Sequence, residues 1–422
     1  MRERIYLCLA HMSGREMDFI KEAFDTNWVV PMGPNVNGFE KDLEDFVNRR
    51  EGEPALDRKV VGLSAGTAAV HLALLACGVG PGDEVLVQTF TFCASSHPIT
   101  YLGATPVFID SEKDSWNIDP DLLEEAIKDR IAKTGRTPKA IIPVALYGMP
   151  YQAEKIMEIA DRYEIPIIED AAEGLGSRYR GQVLGTFGRY GVLSFNGNKM
   201  ITTSGGGALI CQNEADKKEI LFYATQARES YPYYQHEHIG YNYRMSNVCA
   251  GIGRGQMTVI DDHIAHHKHV QERYCELLKD VPGITMHTNP GADYDSNFWL
   301  CTATLDPNLK IKGQENAYKQ VISGAVGGAA GVTHAAESAT TDCQPNDNVE
   351  ALRVALDAAN IEARPLWKPM HKQPVYRNAP AYINGASESL FAVGICLPAG
   401  PYVNDDDINY IVDTIKANIV HD

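Results

Sequence analysis

Lys199 and Asp170 are the two side chains whose neighbourhoods in the sequence could do chemistry. Lys199 closes the stretch Ser194-Phe195-Asn196-Gly197-Asn198-Lys199 and precedes Thr202-Thr203-Ser204 and Gly205-Gly206-Gly207. Upstream, the apolar run Ile165-Pro166-Ile167-Ile168 ends in Glu169-Asp170. An acid at a strand end, followed by a lysine on a glycine-rich turn, suits pyridoxal phosphate. The lysine would hold that cofactor as a Schiff base, and the acid would keep its pyridine nitrogen protonated so that the ring draws electrons. Each residue also has a plain reading. Lys199 could be a solvated loop lysine, and Asp170 could cap a helix starting at Ala171-Ala172. Glu173 either contacts the ring hydroxyl or closes a capping box.

Further groups could complete such a site. Ser64-Ala65-Gly66-Thr67 precedes the apolar helix Ala68–Cys77, so the free N–H groups of Gly66 and Thr67 could cradle a phosphate, with the Ser194 hydroxyl beside them. Phe92, after a strand ending at Gln88, could stack on a planar ring or fill core. Gly240-Tyr241-Asn242-Tyr243-Arg244-Met245-Ser246 is a polar and aromatic patch, or a helix start with ion pairs. Ala363-Arg364-Pro365-Leu366-Trp367-Lys368-Pro369-Met370-His371 is held extended by its prolines and mixes basic and aromatic groups suited to a diphosphate and a sugar or base.

The elements that must position these residues follow from the apolar pattern. Strands are expected at Glu84–Gln88, Thr105–Ile109, Ala140–Leu146, Pro166–Glu169, Gly191–Phe195 and Gly207–Cys211, with helices at Thr67–Cys77, Pro120–Ala132 and Ala153–Tyr163. Continuously apolar strands alternating with helices mean a mostly parallel α/β sheet, with ligands at the strands' carboxyl ends. Residues 1–255 read as an N-terminal segment and large domain, and residues 256–422 as a smaller α+β domain. The Ala- and Gly-rich segment 310–348 reads as a flexible insertion.

Composition narrows the function. The 422 residues carry a formal charge of −17, which disfavours nucleic acid and anionic membrane as partners. Nine scattered cysteines without a C-x-x-C pair fit reduced thiols in a cytoplasm. No stretch reaches the roughly twenty apolar residues of a spanning helix. Walker, G-x-G-x-x-G and H-E-x-x-H motifs are missing. His263, His266, His267 and His269 read as a solvated helix face, so no metal site is expected.

Together the quoted motifs resemble the DegT/DnrJ/EryC1/StrS family of sugar aminotransferases, from about residue 13 to 255 and again from 349 to the end. The resemblance implies an aspartate-aminotransferase-like fold (fold type I) and pyridoxal phosphate as cofactor. It implies that Lys199 bonds the cofactor and moves the proton, that Asp170 pairs with the ring nitrogen, and that Gly66, Thr67 and Ser194 bind phosphate. It also implies that Phe92 stacks on the ring, that Glu173 lies near it, and that Asn242 reaches the phosphate of a second subunit in a homodimer with shared sites. Trp28, Arg364, Trp367 and His371 would meet a nucleotide-sugar substrate. The branch resembled aminates the C4 keto group of UDP-linked 4-keto-6-deoxy-N-acetylhexosamines for bacterial glycans, with glutamate as donor. C3 amination, or a sugar dehydratase of the same fold, are the alternatives; the dehydratases tend to carry histidine where Lys199 stands. A regulatory module is disfavoured by the acidic charge. Two departures stand out: Arg189 occupies a position where an acid is common, and segment 310–348 is longer and richer in Ala and Gly than usual.

Overall fold

Apolar runs that must be covered on both faces become the strands of a parallel sheet, and the sequence supplies them in series. The computed structural model describes residues 2–50, 52–318 and 343–420. The strands are β1 (Lys59–Leu63), β2 (Glu84–Gln88), β3 (Thr105–Ile109), β4 (Ala140–Ile142), β5 (Ile168–Asp170), β6 (Arg178–Tyr179), β7 (Gln182–Val183), β8 (Tyr190–Ser194), β9 (Gly207–Cys211), β10 (Ile284–Met286), β11 (Tyr294–Asp295), β12 (Cys301–Leu305), β13 (Arg364–Pro365), β14 (Ala381–Tyr382) and β15 (Gly394–Leu397). Two rows, β1-β9-β8-β5 and β14-β3-β2-β4, are joined by parallel bridges at Ile141–Ile167 and Val144–Asp170 into one twisted sheet. Within it β9 runs against both of its neighbours, β1 and β8.

The helices are α1 (Glu16–Asp25), α2 (Pro34–Val47), α3 (Gly66–Ala76), α4 (His97–Tyr101), α5 (Pro120–Thr134), α6 (Ala153–Arg162), α7 (Glu214–Ala224), α8 (Asn247–Met257), α9 (Ile260–Leu278), α10 (Asp347–Ala358), α11 (Ala386–Val393) and α12 (Asp405–Asn418). α3 is apolar around its whole circumference and is correspondingly buried from Ala68 to Leu74. α5 follows its local signals. The Asp119 carboxylate caps Asp121 N–H and Leu122 N–H, and Gly135 ends the helix at φ +67°.

A second, antiparallel sheet, β10-β12-β15-β13, packs with α9, α10 and α12 around Tyr274, Cys301, Leu352, Ile395 and Ile411. The chain returns to the large sheet from there. β14 adds in parallel to β3, and Met370 and Tyr376 join the core that contains α3. Conversely, Ile5 from the N-terminus bridges Ile361 and packs into the smaller core.

Several expectations shift. The run expected as a strand to Leu146 stops at Ile142, because Pro143 has no N–H to continue the ladder. Its carbonyl instead accepts from Asp170 N–H at 2.9 Å. Pro166 likewise delays the start of β5 to Ile168. The histidine face of α9 is not uniformly solvated: His263 and His267 are buried and His269 is exposed. Buried His267 pairs through Nδ1 with Phe298 O at 3.1 Å, and burial pushes its pKa down to about 3. Residues 319–342 of the expected insertion lie outside the described residues. Among the described residues no helix is long and apolar enough to cross a membrane, and no group of three or more His, Cys, Asp or Glu is placed to hold a metal ion.

Candidate active site

β5 ends with two acids that alternate between the sheet's faces and so serve different purposes. Glu169 is fully buried and accepts from the N–H groups of Gly185, Phe187 and Gly188 at 2.9, 2.6 and 2.6 Å, which fixes that loop. Asp170 faces a cavity of about 270 Å³. Its Oδ2 accepts from Ser95 Oγ at 2.5 Å and its Oδ1 from Ala172 N–H at 3.2 Å. No helix follows, so neither Asp170 nor Glu173 is a helix cap. Burial pushes the Asp170 carboxyl above its ordinary pKa, opposed by the Ser95 hydroxyl, the Ala172 N–H and the charge of Lys199.

Lys199 lies on the loop after β8. Phe195 N–H donates to Gly206 O and Thr203 N–H to Phe195 O, at 2.9 and 3.0 Å, closing that loop on itself. The ammonium is 3.2 Å from Glu173 Oε1 and 3.9 Å from the centre of the Trp299 ring. Trp299 is held by Nε1–H donating to Asn198 O at 2.6 Å. Glu173 Oε2 accepts from Tyr147 N–H at 2.7 Å, with Tyr147 at φ +55°. Burial raises the Glu173 pKa and the Lys199 charge pulls it down.

The N-terminus of α3 also lines the cavity. Its N-cap residue is Ala65, which has no side-chain acceptor, so the first N–H groups open on the cavity beside Ser64 and Ser194. The approach is close: a Cβ on Gly207 would sit 2.4 Å from Gly66 N. Phe92, half exposed, and Trp367 form the mouth with ring centres 5.3 Å apart.

Of the residues singled out in the sequence, Gly66, Thr67, Phe92, Asp170, Glu173, Ser194, Lys199 and Trp367 surround this one cavity. Trp28, Asn242, Arg364 and His371 do not line it. Trp28 O accepts from Asn247 Nδ2 at 3.0 Å, Asn242 Oδ1 accepts from Gln226 Nε2 at 3.2 Å, and Arg364 pairs with Glu362 at 2.8 Å. Arg244 ties Glu40 to Gly62 O, and Arg189 pairs with Asp216 at 3.2 Å. Ser95 and Trp299 were not anticipated. A hydroxyl within a turn of Phe92 was a usable signal for Ser95. Nothing local marks Trp299, which reaches Lys199 from the start of another sheet.

The donor set fits pyridoxal phosphate on three independent counts. An uncapped helix N-terminus with two serines offers hydrogen bonds to a phosphate. A buried carboxylate, costly while unpaired with a cation, awaits a protonated ring nitrogen. A largely buried lysine amine lines the same cavity and could bond an aldehyde.

Comparison with known proteins agrees. The model of the DegT/DnrJ/EryC1/StrS aminotransferase family matches residues 11–327 and 314–416. The Bacillus subtilis (strain 168) protein named "Putative pyridoxal phosphate-dependent aminotransferase EpsN" is 41% identical, over 98% of this chain and 96% of its own. GDP-perosamine synthase of Escherichia coli O157:H7 is 32% identical, over 96% of each chain. A crystal structure of a DegT DnrJ EryC1 StrS aminotransferase from Brucella abortus superposes with a TM-score of 0.79 at 26% identity, over 96% of this chain and 95% of that one. A sugar aminotransferase structure from Streptococcus pneumoniae in its PLP form gives 0.80 at 23% identity, over 98% of each chain. Its fold type I architecture and the family match place this chain in the pyridoxal phosphate-dependent DegT/DnrJ/EryC1/StrS aminotransferase family.

Proposed function

We propose that this sugar aminotransferase transfers an amino group, from glutamate, to the C4 keto group of a UDP-linked 4-keto-6-deoxy-N-acetylhexosamine in bacterial glycan synthesis. The observation that carries the amino transfer is Lys199 Nζ, fixed between Glu173 and Trp299 inside a cavity bounded by Asp170 and the uncapped start of α3. The C4 position and the UDP-linked sugar rest on the resemblance of the stretch Arg364 to His371. When bound, pyridoxal phosphate supplies an aldehyde carbon that accepts the amino group and a ring that spreads the resulting electron pair.

The chain's residues do the rest. Asp170 would keep a proton on the ring nitrogen. The N–H groups of Gly66 and Thr67, with Ser194, would hold the phosphate. Lys199 Nζ would take and return the proton at the reacting carbon. Glu173 holds that amine in place and Trp299 shields it from water. Of the four residues expected to meet the sugar nucleotide, Trp367 has its side chain on the cavity. Asn242, exposed and outside its own subunit's cavity, supports a homodimer in which it reaches the neighbouring phosphate. The free cysteines support a cytoplasmic setting.

A GDP-linked keto sugar is the second reading, favoured by the likeness to GDP-perosamine synthase. An amination assay over 3-keto and 4-keto sugars on UDP, GDP and dTDP, with glutamate and mass spectrometry, tests both. Product from the UDP-linked 4-keto N-acetyl sugar is expected. Product only from a GDP-linked sugar would favour the second reading, and product only from a 3-keto sugar would overturn C4 amination.

A further inference from the structure

His371 was expected to touch substrate, yet it does not line the cavity and both of its ring nitrogens are engaged. Thr89, at the end of β2, is fully buried. Its Oγ1 accepts from His371 N–H at 3.1 Å and lies 2.8 Å from His371 Nδ1. The Glu388 carboxylate only accepts, so Nε2, 3.1 Å from Glu388 Oε1, carries the proton and donates to it. In the neutral ring Nδ1 is then the acceptor, and the Thr89 hydroxyl donates to it. The other oxygen of Glu388 holds Lys372 at 2.9 Å. Thr89 O also accepts from Met370 N–H at 2.8 Å.

Glu388 is itself fixed. α11 is anchored by buried Asp110 after β3, whose carboxylate accepts from Asn384, Gly385 and Ser387 N–H at 3.1, 2.8 and 3.1 Å. The segment therefore leaves the smaller sheet at β13, is fastened to the large sheet through His371 and continues into β14 on the same sheet. Between β13 and that fastening lies Trp367. Its N–H donates to Tyr147 Oη at 2.7 Å, and its ring meets Phe92, which follows Thr89 after the same strand.

We propose that Thr89, His371 and Glu388 form a latch that sets the distance between Phe92 and Trp367 across the cavity mouth. His371 is then a positioning residue that acts through Trp367 and does not contact the substrate. The assignment of the cavity as the active site is the reading on which this rests. The latch joins the ends of two strands of one sheet to a segment that crosses from the other, so it governs the width of the entrance and leaves the floor at Lys199 untouched.

A double-mutant cycle on the holoenzyme decides the matter, using His371→Ala, Trp367→Ala and the pair. His371→Ala is expected to raise KM for the keto sugar nucleotide about five- to tenfold, the worth of one to two net hydrogen bonds, with kcat changed less than twofold. In the Trp367→Ala background the same change should have no further effect on KM. Additive effects would mean direct substrate contact and would overturn the latch. Hydrogen–deuterium exchange supplies a readout independent of turnover. His371→Ala and Glu388→Ala should speed exchange in peptides spanning 364–376 and 89–93, and Glu388→Gln, which keeps the acceptor, should restore protection. Unchanged exchange in both alanine variants would sink the proposal even if the enzyme is active. Faster exchange in a protein that aminates no sugar nucleotide would uphold the latch and defeat the functional reading instead.

Discussion

The floor and the mouth of the cavity are assembled from different ranges of the chain. At the floor, Glu173 and Lys199 are 26 residues apart, on the loops that follow the neighbouring strands β5 and β8. At the mouth, Thr89 and His371 are 282 residues apart and meet because a segment leaves one sheet and crosses to the other. The floor is held by backbone ladders and by buried carboxylates, of which Glu169 accepts three N–H groups and Asp170 and Glu173 one each. The mouth is held by a few side-chain hydrogen bonds and two partly exposed rings. Chemistry needs atoms fixed within fractions of an ångström, and the ladder supplies that. An entrance can tolerate, and use, weaker fastening.

Changes to the floor should therefore cost far more activity than changes to the mouth. Lys199→Ala is the largest: amination measured by mass spectrometry should fall by at least about 10²–10⁴-fold, with loss of the visible absorbance of the bound cofactor. Full activity in this variant would remove Lys199 from the mechanism. Asp170→Asn keeps an acceptor for Ser95 but loses the charge owed to the ring nitrogen. Activity should fall about 10²-fold or more, with weaker cofactor binding by titration. An effect no larger than that of Trp367→Ala would erase the distinction between floor and mouth.

Gly207→Ala tests the phosphate end, where the new Cβ has no space beside Gly66. It should cost about 1–3 kcal/mol in denaturant unfolding and weaken cofactor binding. A variant with wild-type stability and affinity would show that the approach of β9 to α3 does not matter.

The last effect concerns pH. His267 stays neutral in the fold down to about pH 3, and His287 to about pH 4, both because burial disfavours the charged ring. The unfolded chain takes up these protons near pH 6.5, so stability falls as pH drops through the interval between the folded and unfolded values. Each histidine contributes a slope of up to about 1.4 kcal/mol per pH unit. Thermal unfolding at pH 7 and pH 5 should show the loss, and His267→Gln should reduce it. His267 supports Phe298 O, next to Trp299, so acid should loosen the floor from below. An equal loss in the variant would acquit His267.

Much of the floor was legible in the sequence. The apolar runs gave the strands, and Asp170, Ser194 and Lys199 stood at their ends, where an open α/β sheet gathers ligands. The strand ends at Ile142 and Ile168 were misjudged because hydropathy does not register the missing N–H of Pro143 and Pro166. The burial of His263 and His267 was missed for a related reason. A histidine looks polar in sequence, and only a carbonyl brought to it by another segment makes its burial tolerable. Ser95 and Trp299 were invisible because their roles are toward side chains far along the chain.

The sequence alone therefore determined the alternation of strands and helices, the candidate lysine and acid, and the family to which the chain belongs. These depend on local periodicity and on residue types that no neighbour can change. Only the tertiary structure decided that Trp299 packs against the lysine, that Arg364 and His371 do not line the cavity, and that Trp367 meets Phe92. Those facts depend on how two sheets and the segments crossing between them come together, and contacts across hundreds of residues leave no periodic trace in the chain.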